Sequence, residues 1–314
     1  MTPGRSCPLH YRYTKGAFLR EADLTAETFY IIGGLYGNAP ALQAIFELAA
    51  SEPVTPALIF NGDFNWFNID AESFAAVNAV VLKHHALRGN VETELNAEDG
   101  AGCGCAYPDY VDDADVERSN RIMQRLQQTA RAFPAVTTAL AALPMHAVIE
   151  VGGCRFGVVH GDAESLAGWR FAHDSLHDAG NVEWLKQRCI EANLRGFASS
   201  HTCLPTFRRF AEVTLINNGA AGMPNFSHTQ YGLISRLSVH APVEGISQYG
   251  NVVDGVYIDA LPVHYDAAAF QTAFLKNWPV NTPAHHSYFK RIMEGPAYAA
   301  PHALGLIRAP SVCA

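Results

Sequence analysis

Between Phe29 and Asn38 the chain reads Phe-Tyr-Ile-Ile-Gly-Gly-Leu-Tyr-Gly-Asn. Phe29 to Ile32 is an apolar, β-prone run, and Gly33, Gly34 and Gly37 break it into a tight turn. Leu42, Ile45, Phe46 and Ala49 then recur at the spacing of one helix face. A buried strand, a glycine turn and an amphipathic helix form the opening unit of an α/β protein, whose ligands bind at strand ends. The turn offers Gly34 and Tyr36 where a ligand site would be expected to place charged or metal-binding groups.

The same arrangement recurs. Ala57 to Phe60 predicts a second buried strand, ending in Asn61-Gly62-Asp63, and a helix is expected over 72–82. Lys83 to Leu87 predicts a short third strand, ending in Arg88-Gly89-Asn90-Val91-Glu92. Residues 96–112 have no period and are glycine-rich, which predicts a loop or lid. A helix follows with Asp113 or Asp115 as N-cap, ended by Pro134, and then a shorter helix near Pro144. Gly152-Gly153 between two apolar runs predicts a hairpin whose second strand leads into His160-Gly161-Asp162. A helix over 181–193 and a strand over 195–198 precede Ser199-Ser200-His201-Thr202-Cys203. Further strands are expected near 213–216, 231–237 and 256–263, with helices near 266–277 and 284–293. This order predicts two packed sheets with helices outside. Without a hydrophilic linker, it also predicts one domain over residues 1–314, with a lead-in at 1–27 and an extension at 239–314.

Composition narrows the function. A formal net charge of −8 disfavours a long nucleic-acid partner, and no apolar run is long enough to cross a membrane. Seven irregularly spaced cysteines, and a start without the apolar stretch of a secretory signal, lead us to expect a reduced cytoplasmic protein. Asp63, Asn90, His160 and His201 fall at strand ends, and a carboxylate, an amide and two imidazoles suit Mn, Zn or Fe(II). Each also has a plainer reading, as a turn residue or a hydrogen-bonded histidine. Cys103-Gly104-Cys105 could fold over a metal with Cys7 or Cys203, although free thiols in a loop are the simpler reading. His85 could face the site from its strand, and Asp162 could orient His160 or sit in a turn.

Taken in order, these local words resemble the calcineurin-like metallophosphoesterase superfamily, above all its small bacterial phosphodiesterase branch. Gly33-Gly34-Leu35-Tyr36-Gly37-Asn38, followed by Ala41-Leu42, stands where that family carries Ser-Asp-x-His-Gly-Asn. Gly62-Asp63, Gly89-Asn90-Val91-Glu92, His160-Gly161 and Ser200-His201-Thr202-Cys203-Leu204-Pro205 resemble its next four motifs. Asn217-Asn218-Gly219-Ala220-Ala221-Gly222-Met223-Pro224 resembles its closing one, so the likeness spans about residues 28–238.

The resemblance implies a four-layer αββα sandwich and a two-metal phosphoesterase, in which paired cations activate a hydroxide and clamp phosphate oxygens. Carried over by position, one cation would take Asp63, Asn90, His160 and His201, all present. The other would take positions 34, 36 and 203, here Gly34, Tyr36 and Cys203, so one ligand is missing and two are unusual. The expected function is hydrolysis of a small phosphomonoester or phosphodiester by a metal-bound hydroxide at one intact site. Asp63, Asn90, His160 and His201 would be catalytic, with Cys203 and Tyr36 as further candidate ligands and Asn38, Asn90 and Tyr36 as substrate contacts. The alternative is a non-catalytic protein binding a phosphorylated ligand or a partner on the same scaffold. A thiol or redox protein using Cys103, Cys105 and Cys203 is a third reading.

Overall fold

A computed structural model of the chain describes residues 2–14, 16–97 and 100–308. Residues 98 and 99 of the expected loop, and the last six of the C-terminal extension, lie outside the described residues.

The first half of the chain runs β1 (Leu24–Thr25), β2 (Thr28–Ile32), α1 (Ala39–Ala50), β3 (Ala57–Asn61), α2 (Ala71–Val81), β4 (His85–Leu87), α3 (Asn90–Glu94), α4 (Asp113–Ala130) and α5 (Pro134–Ala141). Next come β5 (His146–Val151), β6 (Cys154–Val159), α6 (Ala179–Ala192), β7 (Gly196–Ser199), β8 (Thr206–Phe210), β9 (Val213–Asn217) and β10 (Gly232–Ser238). The chain closes with β11 (Tyr249–Val253), β12 (Val256–Val263), α7 (Ala267–Asn277), α8 (Pro283–Glu294) and α9 (Ala300–Ala303).

The strands form two six-stranded mixed sheets, ordered β1-β5-β6-β7-β9-β8 and β11-β12-β10-β2-β3-β4. Phe29, Ile31 and Ile59 of one sheet pack on Ile149, Phe156, Val158 and Ile216 of the other, which makes the central core. Alternate residues of the same strands, Tyr30, Ile32, Leu58 and Phe60, face a second core that includes Ile45 of α1 and Phe74 of α2. Val148, Phe197 and Leu215 face Leu185 and Cys189 of α6 on the opposite side. Burial on both faces explains why these strands read as unbroken apolar runs rather than alternating ones. The layers are therefore helix, sheet, sheet, helix.

Parallel pairing aligns β2, β3 and β4 in one sheet and β6, β7 and β9 in the other. Their C-terminal ends carry Gly33–Gly37, Asp63, Asn90, His160, His201 and Asn217. Downstream of the motifs, β12 pairs with β10 in register from Gly232↔Val263 to Ser238↔Tyr257, inside the same sheet as β2.

Several local expectations shift. The N-cap of α4 is Asp112, whose carboxylate accepts from Ala114 N at 2.7 Å, rather than Asp113 or Asp115. Pro134 opens α5 instead of closing α4, because the first helical position needs no N–H. β8 was not foreseen: as an edge strand it exposes Arg209, so it lacks the apolar run that marked its neighbours.

Candidate metal centre

Asp63, Asn90, His160 and His201 come from four different strand ends, yet their side chains meet, all at 6% exposure or less. One ligand atom each from Asp63, His160 and His201 lies within 4.8 Å of the others. His160 Nε2 is 3.3 Å from Asp63 Oδ1, 3.1 Å from Asn90 Oδ1 and 3.2 Å from His201 Nδ1.

Backbone carbonyls fix how these groups are presented. His160 Nδ1–H donates to Asn61 O at 2.9 Å, and His201 Nε2–H donates to Cys105 O at 3.0 Å. A carbonyl accepts only from N–H, so in each neutral ring the lone pair belongs to the other nitrogen. The Asn90 amide donates to Cys103 O at 2.9 Å, which turns Oδ1 inward. Four electron-rich atoms, Asp63 Oδ1, Asn90 Oδ1, His160 Nε2 and His201 Nδ1, thus converge, none carrying a hydrogen while the rings are neutral, and Asp63 Oδ1 also accepts from Val91 N. Only a proton or a cation satisfies them together, and this donor set of one carboxylate, one amide oxygen and two imidazoles fits a borderline divalent metal.

The electrostatics agree. Burial raises the Asp63 pKa, but the His160 ring, its hydrogen bond and His201 outweigh it and hold the carboxyl below its ordinary value. Burial pulls His160 down, yet Asp63 outweighs that and raises it. Burial, then charge on His160, pushes His201 down to about 3, so its ring stays neutral and available as a ligand. Asp63 adopts a left-handed backbone, φ 54°, which aims its carboxylate across to Val91 N at 3.2 Å. Beneath it, Glu92 accepts from the backbone N–H groups of Asp63, Phe64 and Gly89 at 2.7, 3.1 and 3.0 Å. Burial, then the nearby Asp63, pushes Glu92 up to about 7.

The first motif is rebuilt rather than empty. Tyr36 is 3% exposed, shares a cavity with Asp63, and its hydroxyl lies 3.1 Å from Cys203 Sγ. Gly34 has φ +64°, and a Cβ there would lie 2.9 Å from both Cζ and the hydroxyl oxygen of Tyr36. The tyrosine ring therefore occupies the space into which a side chain at position 34 would project. Burial, followed by Cys203 and Asp63, pushes the Tyr36 phenol well above its ordinary value, and burial raises the Cys203 thiol. Neither is poised as an anionic ligand.

The other sequence candidates fall elsewhere. Asn38 caps α1, accepting from Ala41 N and donating to Gly222 O, both at 2.9 Å, so its amide is already engaged at both ends. His85 is exposed at the start of β4 and borders a different groove with Lys83 and His84. Asp162 accepts from the backbone of Glu164, Ser165 and Arg170, the turn role. Cys105 lines the cavity, while Cys103 lies fully buried behind it, and among the described residues neither thiol joins a cluster of metal-binding groups.

Sequence reasoning missed the carbonyls of Asn61, Cys103 and Cys105, since a backbone acceptor leaves no residue-type signature. It also assigned no role to Trp169. Trp169 lines the cavity with Trp66, Tyr107 and Tyr288, and its indole donates to Cys105 O at 3.0 Å. The cavity is narrow, about 30 Å³, room for an ion or a water at the ligand cluster.

No protein-family model matches the sequence, and no curated protein matches it. Solved structures do. A hypothetical protein from Pyrococcus horikoshii OT3 superposes with a TM-score of 0.59 at 13% identity, over 86% of this chain and 99% of that one. A metallophosphoesterase from Sphaerobacter thermophilus superposes with a TM-score of 0.50 at 16% identity, over 79% of this chain and 93% of that one. Such identities speak to architecture and not to activity. With two six-stranded mixed sheets flanked by helices, the chain has the calcineurin-like metallophosphoesterase fold.

Proposed function

We propose that the protein is a metal-dependent phosphoesterase built around one divalent cation, held by Asp63, Asn90, His160 and His201. The observation that carries this reading is the convergence of four lone-pair atoms, three of them on side chains whose other polar atom is tethered to a backbone carbonyl. A divalent cation there would supply Lewis-acid polarisation of a phosphate oxygen and a lowered pKa for bound water.

The chain's own groups divide the remaining work. Asp63 and the two imidazoles fix the position of charge on buried side chains, where electrostatic interactions are strong. His160, raised by Asp63, can hold a proton at Nε2 when no cation is present and must release it when one binds. Tyr36 and Cys203 fill the neighbouring position with neutral groups, so the phosphoryl group receives less positive charge than a two-metal site provides. Slow turnover of a small phosphorylated substrate follows from that loss.

The test is metal content of the purified protein by plasma mass spectrometry, paired with hydrolysis of an aryl phosphodiester and an aryl phosphomonoester with added Mn. One metal per chain, and turnover that Asp63→Ala and His201→Ala both abolish, would support the reading. A metal-replete protein without such turnover would favour the alternative, a binding protein for a phosphorylated ligand or partner. A protein that binds no metal would overturn the site.

A further inference from the structure

We propose that the N-terminal segment Thr2–Tyr13 is a positioning element of the metal centre, acting through the loop that carries Cys103 and Cys105. The proposal rests on the reading that Asp63, Asn90, His160 and His201 hold a cation.

The loop orients two of these groups by its backbone, since Cys103 O holds the Asn90 amide and Cys105 O holds His201 Nε2 and the Trp169 indole. Around these carbonyls the described part of the loop has no helix or strand, so something else must fix it. The N-terminal segment does so at three places. Gly4 N donates to Ala101 O at 2.7 Å, and Tyr107 N returns a bond to Gly4 O at 2.9 Å, which brackets the two cysteines. The Arg5 guanidinium donates to Pro108 O at 2.8 Å and Val111 O at 2.6 Å, and pairs with Asp113 at 2.5 Å. Tyr11 is fully buried, and its hydroxyl donates to Glu94 on α3, the short helix that begins with Asn90.

Gly104 marks how tight this fit is. A Cβ at Gly104, where φ is +67°, would lie 2.2 Å from the Tyr11 hydroxyl and 2.8 Å from Glu94 Cγ. The Tyr11 hydroxyl is thus wedged between the loop that aims His201 and the helix that presents Asn90. Outer-shell partners of metal ligands typically hold 10- to 100-fold in metal affinity. Here those partners are carbonyls, and the residues that place them sit about eighty positions upstream of Asn90 and about 190 upstream of His201.

The experiment uses the full chain with Arg5→Ala and Tyr11→Phe combined, and measures Mn affinity by chelator competition well below the unfolding temperature. Affinity should fall about tenfold or more at unchanged stoichiometry. The imidazole N–H of His201, shielded in the wild type by its bond to Cys105, should exchange faster with solvent by NMR. Arg195→Ala, which breaks the half-exposed pair with Asp254 at the other end of β7, is the control for a general loss of stability. Affinity and exchange within twofold of wild type, or an equal fall in the control, would overturn the proposal. If the double variant does not fold, Tyr11→Phe alone keeps the ring and removes only the hydroxyl, and the same two readouts decide. If the wild type binds no Mn, the proposed function fails first, and the His201 exchange rate still judges the N-terminal segment.

Discussion

The contact between Gly34 and Tyr36 makes a quantitative prediction. Gly34→Ala places a methyl 2.9 Å from the tyrosine Cζ and hydroxyl, at a backbone φ of +64°. The left-handed conformation costs an alanine about 1–2 kcal/mol, and overpacking a filled site adds about 1–3 kcal/mol. Tyr36→Ala alone removes a 3%-exposed ring and should cost about 3 kcal/mol, the lower end for an aromatic truncation, because the ring borders a cavity. In the double variant the overpacking vanishes while the backbone cost remains. The two substitutions should therefore fall short of additivity by about 1–3 kcal/mol. Urea unfolding followed by circular dichroism, analysed by linear extrapolation, resolves such a difference. Additivity within about 0.5 kcal/mol would show that the ring does not fill the space beside Gly34, and the account of the first motif would fall. The same account predicts that Gly34→Asp, Tyr36→His and Cys203→His together raise the metal content from one to two per chain.

Other consequences follow from the same geometry. Because His160 takes a proton in the metal-free site and must lose it to a cation, Mn binding should release a proton. Apparent affinity should then fall about tenfold per pH unit below the raised His160 pKa, as calorimetry in buffers of different ionisation enthalpy would register. In the metal-free protein, the raised His160 contributes stability that is complete below its ordinary 6.5 and lost as pH rises through its folded value. Glu92, raised from 4.5 to about 7, loses its contribution over that interval. His201, pushed from 6.5 down to about 3, acts in the opposite sense below pH 6.5, so the metal-free unfolding temperature should drop between about pH 6.5 and pH 8, and added Mn should reverse the drop. Asn38→Ala should cost about 1–2 kcal/mol by removing the α1 cap, yet leave the KM for an aryl phosphate unchanged, which separates a structural asparagine from a substrate contact. Arg236 is fully buried against Glu52 and Asp259 at 2.5 and 3.3 Å, so Arg236→Met should cost about 3–5 kcal/mol by stranding the two carboxylates. Apolar replacement of all three should recover much of that loss in the same urea assay.

How much could be read in advance depended on what each feature is made of. β2, β3, β6 and β9 were legible because strands buried on both faces leave apolar runs, and the turns after them were legible because glycine and asparagine mark them. Asp63, Asn90, His160 and His201 were legible as members of that pattern, each at a strand end. β8 and the cap of α4 were not: an edge strand tolerates Arg208 and Arg209, and adjacent aspartates offer more than one cap. Asn38 was ambiguous because a buried asparagine in a glycine turn can serve a ligand or a helix end with the same atoms.

The sequence by itself therefore determined the sheet-forming runs, the strand-end residues and the substitution of the first motif by Gly34 and Tyr36. Local periodicity and residue chemistry suffice for those. Only the tertiary structure decided that Tyr36 fills the place left open by Gly34, that two histidines present lone pairs to one point, and that Gly4, Arg5 and Tyr11 hold the loop aiming one of them. These depend on backbone carbonyls and on contacts between segments remote in sequence, and neither leaves a mark in the order of side chains.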